Sequence, residues 1–400
     1  MAESSKLNVG LLGLGMAGAG ILRALDADPE VRVAAVADLR ENALAAFRSQ
    51  HEGRVYQSFE RLRDDPEVEA VWVATPTHLR CEHTIALADA GKHVLFEKPM
   101  ATTLEECERM IEAAEHNNVK LIASGHQSYN PAFIEMRRIV SSGRLGKLGA
   151  MTNFVFGEWM LRARVPAEVD PRIDGGMVFN QGPHPIDALR LVGGGLVRSV
   201  RGTAIDMHLG GRPSAGYLSA YLEFEDGTPA TVLYNGYGYL RGWELVPWGD
   251  TEGRRAATEA SFGYRRRLRA GGLDENDARE LLRFGGRPED APRPATPGND
   301  AWVPSDPGFM VATCERGELR QSPHGLYVYD DEGKHDEPLP GGANLRANEI
   351  QELRDAIAGK PVFRDGRWGM ATLEVVLAIL ESGRERREIT LQHQVPVLDL

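Results

Sequence analysis

The chain has 400 residues, 42% of them hydrophobic and 26% charged, with a formal net charge of −12. That length suits two domains of roughly 100–200 residues each, and the ordinary apolar fraction argues against pervasive disorder or a fibrous repeat. The acidic balance leaves nucleic-acid binding to a local basic patch, and the candidate run around Arg265, Arg266 and Arg267 has little aromatic interleaving and reads as solvated surface.

Three cysteines, Cys81, Cys107 and Cys314, have no CxxC spacing, which argues against a disulfide framework or a zinc site. Met1 to Lys6 is short and polar, without the apolar core of a signal peptide. No apolar run approaches the roughly 18 residues needed to span a bilayer. The expectation is a cytoplasmic chain with no membrane partner, no nucleic-acid partner and no bound metal.

In chain order, Leu7–Leu12 is a compact apolar strand and Met16–Leu25 can form a helix. Val31–Ala37, Val68–Ala74, His93–Phe96 and Val119–Ser124 are further strands, with a helical stretch near Leu79–Ala90 between two of them. Thr103 opens another helix with a capping box to Glu106, running to about His116. Strand–helix alternation with continuous apolar strands predicts a doubly wound parallel sheet over residues 1–126. After Gly125 the pattern changes. Pro131 to Ile139 and Pro183 to Leu191 read as helices. Tyr217–Phe224 and Ala230–Tyr234 flank Asp226-Gly227, a hairpin signal, and Phe309–Cys314 and Leu326–Tyr329 read as strands. Arg346–Ala358 and Trp368–Glu381 return to helical periodicity. Residues 127–400 are therefore predicted to be an α+β domain with a largely antiparallel sheet. Within them 250–299 reads as a loop excursion carrying a helix near Glu275–Arg283.

Gly13-Leu14-Gly15-Met16-Ala17-Gly18 follows the first strand and opens the first helix. In that setting the first glycine permits the tight turn, the second lets backbone approach a pyrophosphate, and the third allows close helix–strand packing. Asp38 ends the second strand, twenty residues beyond Gly18, where a carboxylate accepts from the adenine ribose hydroxyls. Its charge favours NAD over NADP. Arg40 can offset repulsion of a 2′-phosphate, so NADP is not excluded. The same position also suits Asp38 to capping the next helix. Thr75-Pro76-Thr77-His78 and Glu97-Lys98-Pro99 each follow a strand end, where ligands sit in open α/β sheets. Lys98 there is a candidate for proton transfer; a surface ion pair with Glu97 fits the same residues.

Together, the Gly-Leu-Gly-Met-Ala-Gly, Ala-Thr-Pro-Thr-His and Glu-Lys-Pro runs resemble the Gfo/Idh/MocA oxidoreductase family. Asn180-Gln181-Gly182-Pro183-His184-Pro185-Ile186-Asp187 resembles its Asp-x-Gly-x-His-x-x-Asp motif. The resemblance implies a Rossmann domain followed by an α+β domain whose sheet is open, catalytic roles for Lys98 and His184, and a homodimer or homotetramer. Asp187, three residues from His184 on a helix, could orient its imidazole. Asn180 stands where sugar dehydrogenases of the family commonly have Asp, which removes a negative charge while keeping a hydrogen-bonding group. Arg162 and Arg164 could then bind a carboxylate, with His126 and Tyr129 lining the same pocket. Gly175–Gly195, Tyr234–Tyr239 and the terminal His-Gln-Val-Pro-Val resemble the branch holding phthalate cis-dihydrodiol dehydrogenases. That branch implies NAD-dependent oxidation of a carboxylated dihydrodiol to a catechol. Three alternatives stand beside it: a sugar or cyclitol dehydrogenase, an NAD-dependent glycoside hydrolase without net redox change, and a dinucleotide-binding regulator.

Overall fold

A computed structural model describes residues 6–125, 127–164, 166–170, 173, 175–209, 212–271, 275, 279, 283–286, 301–339 and 345–398. The chain clusters into two compact units. The first comprises residues 1–125, 275–291 and 345–370, and the second 126–274, 292–344 and 371–400.

In the first unit β1 (Leu7–Leu12), β2 (Val31–Ala37), β3 (Arg54–Tyr56), β4 (Ala70–Val73), β5 (His93–Glu97) and β6 (Leu121–Ser124) form a sheet of order β3-β2-β1-β4-β5-β6. Its pairs are all parallel. This is the doubly wound Rossmann order, whose strand direction of travel reverses between β1 and β4 and leaves a crevice at their carboxyl ends. Apolar strands buried on both faces need helices on both sides, and the Met16–Ala27 helix supplies Ile21, Leu22 and Leu25 to the core. The helix Leu104–His116 starts at the expected capping box, with Thr103 accepting from the Glu106 N–H at 3.2 Å. The Leu345–Ile357 helix also joins this unit, whereas the sequence places everything beyond residue 126 in the other domain. The reason is packing: Ile350, Leu353 and Ala356 complete the core around Leu22 and Leu25.

In the second unit β7 (Leu148–Phe156), β8 (Val197–Ile205), β9 (Tyr217–Phe224), β10 (Pro229–Asn235), β11 (Phe309–Cys314), β12 (Gly317–Gln321), β13 (Gly325–Asp330), β14 (Gly333–Pro338) and β15 (Ile389–Thr390) form one sheet. Its order is β14-β13-β12-β11-β7-β10-β9-β8-β15 among the described residues. Pairing is antiparallel except between β7 and β10. The β9–β10 hairpin turns at Asp226-Gly227, where Gly227 takes a φ of 83° and the Asp226 carboxylate accepts from the Thr228 N–H at 2.9 Å. The helices Pro131–Ser141 and Pro183–Gly193 pack on one face. The opposite face leaves Phe154 38% and Tyr221 44% exposed. β14, rich in Lys, Asp and Glu, is an edge strand whose charges discourage further pairing.

Residues 252–269 correct the loop reading of 250–299: Glu252–Arg269 is an 18-residue helix, capped by the Thr251 hydroxyl accepting from the Arg254 N–H. Its buried positions are Arg254, Ser261, Arg265 and Leu268, so it carries no apolar stripe for a periodicity argument to find. The helix expected near Glu275–Arg283 lies largely outside the described residues. Among the described residues no helix is long and apolar enough to cross a membrane.

Candidate active site

The glycine turn between β1 and the Met16–Ala27 helix is shaped for backbone approach. A Cβ on Gly18 would stand 2.1 Å from the Gly13 carbonyl oxygen, so helix and strand pack at a distance that glycine alone permits. Gly13 itself takes a φ of 99°. A Cβ on Gly15 would meet nothing within 4 Å, and no side chain caps the helix start. Met16 and Ala17 are exposed in the first turn. Unpaired N–H groups facing open space at a helix N-terminus suit the phosphates of a dinucleotide.

Asp38 accepts from the Leu14 N–H at 2.7 Å and the Arg40 N–H at 2.8 Å. The Arg40 Nε lies 3.1 Å from the same carboxylate, and its Nη2 donates to the Leu14 carbonyl at 2.8 Å. Asp38 is therefore tied to the glycine turn instead of capping the Glu41–Gln50 helix, whose N-cap position is Arg40. With Arg40 Nη2 also 3.2 Å from Oδ2, the two oxygens receive four donors, the full complement of a carboxylate, so a ribose hydroxyl would take the place of an Arg40 contact. Leu39 beside it is 86% exposed, an apolar ledge suited to the face of an adenine. The residues present thus fit a nicotinamide dinucleotide.

At the carboxyl end of β4, the Thr75 hydroxyl meets His83 Nδ1 at 3.2 Å. Pro76 precedes the Thr77–Asp89 helix and His78 is exposed in its first turn. Arg80 of that helix is buried; its Nε donates to the Thr75 carbonyl at 3.1 Å and its Nη1 to the Pro99 carbonyl. One guanidinium therefore braces both strand-end loops. At the end of β5, Glu97 is buried and Lys98 half-buried. Arg346 Nη1 lies 2.8 Å from Glu97 and 2.8 Å from Glu349. Glu349 in turn accepts from the Gly125 N–H at 2.6 Å, and a Cβ on Gly125 would lie 3.0 Å from Lys98 Cγ. Burial pushes the Glu97 carboxyl up, but Arg346, Lys98 and Arg80 outweigh it and hold it below its ordinary value. Burial pushes Glu349 up to about 7, with Glu97 adding to the effect and Arg346 only partly offsetting it. The Glu97–Lys98 pair is thus one edge of a buried ion cluster, not a surface pair.

In the second unit, His184 sits in the first turn of the Pro183–Gly193 helix, half-buried, with its Nδ1 3.3 Å from Gln127 Nε2. Asp187, fully buried one turn on, accepts from the Ser128 N–H at 2.5 Å and from the Thr372 hydroxyl at 3.4 Å. Arg190 donates to that hydroxyl at 2.7 Å and to Gln394 Oε1 at 3.0 Å. Burial lowers the Arg190 pKa to about 10, against the pull of Asp187 and Glu374. Asp187 thereby fastens the Gln127–Tyr129 turn to this helix, and Gln127 Nε2 stands beside the imidazole.

A second polar cluster of this unit holds the expected arginines. Arg164 is buried and stacks 3.9 Å from the centroid of the Trp159 ring. The Trp159 indole N–H donates to Asn180 Oδ1 at 3.0 Å, and Gln181 Nε2 donates to the same oxygen at 2.8 Å. Arg162 keeps 37% of its side chain exposed and lies 3.9 Å from Asp306. The buried Tyr234 hydroxyl lies 3.1 Å from Asp306 Oδ1 and 3.2 Å from Gln181 Oε1. Burial, reinforced by Asp306, pushes the Tyr234 phenol well above its ordinary value, so it remains a neutral donor.

Residues 7–125 match the family profile described as "Oxidoreductase family, NAD-binding Rossmann fold", and residues 133–243 match the "GFO/IDH/MocA C-terminal domain". A protein of Bordetella bronchiseptica RB50 with a known crystal structure superposes at a TM-score of 0.86 and is 32% identical, over 96% of this chain and 100% of its own. The chain belongs to the Gfo/Idh/MocA oxidoreductase family. It is similar along most of its length to the 1-carboxy-3-chloro-3,4-dihydroxycyclohexa-1,5-diene dehydrogenase of Comamonas testosteroni, at 29% identity over 94% of this chain and 95% of the relative. Inositol 2-dehydrogenase 2 of Saccharopolyspora erythraea is 34% identical over 60% of this chain and 70% of its own.

As a Gfo/Idh/MocA protein the chain is an NAD(P)-dependent oxidoreductase with an NAD-binding Rossmann domain. Within each unit the expected residues fall into the clusters above, with three qualifications. Tyr129 is 1% exposed, so its ring is packing. Arg164 is spent on the Trp159 face, which leaves Arg162 as the arginine with accessible surface. His126 lies outside the described residues. Sequence reasoning missed Leu39, Gln127, Tyr234, Asp306, Arg346 and Glu349. Tyr234 stands inside a run singled out for resemblance alone; for the others no local pattern carries a signal.

Proposed function

We propose that the protein oxidises a carboxylated cyclic cis-dihydrodiol, of the phthalate dihydrodiol type, to the corresponding catechol with NAD as hydride acceptor. The observation that carries this reading is Arg162, a partly exposed guanidinium held loosely by Asp306 in the same cluster as a neutral Asn180. The Asn180 oxygen is uncharged and already accepts two hydrogen bonds, so it is a poorer acceptor for the hydroxyls of a polyol than a carboxylate at that position. A relative named for a carboxy-dihydroxycyclohexadiene, alike along most of both chains, supports the same substrate class.

When bound, NAD supplies the hydride-accepting ring. Arg162 holds the ring carboxylate, through two hydrogen bonds where geometry allows, and so selects the carbon presented for oxidation. Lys98 and His184 are the acid–base groups. Between them they accept the hydroxyl proton and stabilise the oxygen as the carbonyl forms. The hydroxy-dienone then tautomerises, and aromatisation makes the direction strongly favourable.

We further infer a homodimer or homotetramer built on the uncovered sheet face, where Phe154 and Tyr221 stand in water. Tyr221→Asp should lower the mass in sedimentation; an unchanged mass would move the interface elsewhere. The three free, buried thiols suit a reducing, cytoplasmic setting.

The deciding assay follows NADH absorbance with NAD and a panel of phthalate cis-dihydrodiol, its monocarboxylated analogues, neutral dihydrodiols and cyclitols. NADH and a catechol from the carboxylated diols alone support the reading. Turnover of cyclitols alone overturns it in favour of a cyclitol dehydrogenase, the reading that the inositol dehydrogenase relative favours.

A further inference from the structure

The residues around His184 fix more than its position. Asn130 is the N-cap of the Pro131–Ser141 helix, and its Oδ1 accepts from the Ala132 N–H at 3.0 Å. A backbone N–H can only donate, so the carbonyl end of the Asn130 amide is identified and its Nδ2 must be the other arm. That Nδ2 donates to Gln127 Oε1 at 3.4 Å. The Gln127 amide is therefore oriented too, and it is its NH₂ end that faces His184 Nδ1 at 3.3 Å. Gln127 has little freedom to turn round. It is buried, its turn is fastened to the His184 helix by the Ser128 N–H to Asp187 bond, and the Asn130 N–H closes the turn onto the Gln127 carbonyl at 2.8 Å.

We propose that Asn130 and Gln127 are positioning residues that set the tautomer of His184, so that neutral His184 carries its proton on Nε2 and meets the substrate as a hydrogen-bond donor. An amide NH₂ aimed at Nδ1 requires a lone pair there, and the ring proton then resides on Nε2. The relay runs from a backbone N–H through two side-chain amides to an imidazole, a donor meeting an acceptor at each contact. A tautomer in the opposite sense would place two donors face to face at the Gln127 contact.

This rests on the reading of His184 as an acid–base group, and it divides the labour that reading leaves shared. His184 Nε2–H donates to the substrate oxygen and stabilises the negative charge that grows there. The hydroxyl proton then goes to a base other than His184, the part that the proposed function leaves to Lys98. Bound NAD would supply the acceptor for the C–H electron pair as the C=O bond forms, so charge and protons balance.

The test is ¹⁵N NMR of the histidine-labelled full-length protein, in a buffer basic enough for a neutral imidazole, with His184 assigned from the signals lost in His184→Gln. The expected result is an unprotonated Nδ1 and a protonated Nε2. Asn130→Asp keeps an acceptor for the Ala132 N–H but removes the donor to Gln127. It should lower the Nε2–H to Nδ1–H ratio about five- to tenfold, the scale of one net hydrogen bond, with the thermal midpoint unchanged. Gln127→Glu should invert the tautomer, because a carboxylate accepts from Nδ1–H. Either variant suffices if the other fails to fold. A parent protein dominated by Nδ1–H, or a tautomer ratio that neither variant moves, overturns the proposal. His184→Ala with full turnover would instead overturn the acid–base reading, and the NMR result would still judge the tautomer.

Discussion

Lys98 stands beside a cluster of full charges. Glu97, Arg346 and Glu349 share one guanidinium between two carboxylates, and Arg80 braces the loop from the other side. At its Nδ1, His184 meets the amide of Gln127, which Asn130 orients, and the Asp187 carboxylate accepts from a backbone N–H and a hydroxyl. The contrast is physical. A charge cluster sets a proton affinity and answers to pH, whereas an amide relay says which nitrogen holds the proton and is silent to pH. Two ways of controlling protons on one chain can be separated by perturbing each in its own terms.

The largest effect should come from deleting the proton-handling groups. Lys98→Met and His184→Ala should each lower kcat by about 10²- to 10⁴-fold, with the Kd for NAD from fluorescence titration nearly unchanged. Equal losses in both quantities would mark either residue as structural. Next, Arg346→Met leaves two buried carboxylates facing one another without their cation. It should cost about 3–5 kcal/mol of stability in denaturant unfolding at neutral pH, while Arg346→Lys recovers much of it. No destabilisation would mean that the cluster is not closed in solution.

The pH response sharpens the contrast further. Glu349 binds its proton more tightly folded than unfolded, its pKa rising from 4.5 to about 7. Its contribution to stability is therefore complete below about pH 4.5 and lost as pH rises through 7, a change of about 3 kcal/mol by linkage. Glu97, held low, works in the opposite sense and at lower pH. Glu349→Gln should flatten the decline of the thermal midpoint between pH 5 and 7.5, leaving the residual slope from Asp365, whose carboxyl burial also pushes up. A slope as steep as the parent's would remove Glu349 from the account. The smallest effect concerns the second unit's own exposed charge. Arg162→Gln should lower kcat/KM for a carboxylated diol by about 10- to 100-fold, the worth of one charged hydrogen-bonded contact, without affecting neutral diols.

The same contrast explains what a reader of the sequence can see. Gly13, Gly15 and Gly18 lie within six consecutive residues where β1 passes into the first helix, and the parallel sheet is expected from apolar strands alternating with helices. Lys98 and His184 are visible because short motifs surround them. Arg346 and Glu349 come from the far end of the chain to meet Glu97, and Asp306 reaches Tyr234 and Arg162 across the second unit. No spacing rule connects such residues, since tertiary folding alone makes them neighbours. Gln127 is adjacent to the expected His126 and Tyr129, yet its importance depends on the direction of an amide, which a sequence does not encode locally. The Glu252–Arg269 helix is hidden for a different reason: its inward face is arginine and serine held by hydrogen bonds to backbone and carboxylate.

Asp38 binds the Leu14 N–H and the Arg40 side chain at once. A carboxylate at the position where Rossmann folds read the ribose is therefore also a strut of the glycine turn. Evolution or an engineer who replaces it to admit NADP releases Leu14 and unseats Arg40 in the same step. Cofactor choice and cofactor grip are mechanically linked in this chain, so a path between the two nicotinamides must first rebuild the turn.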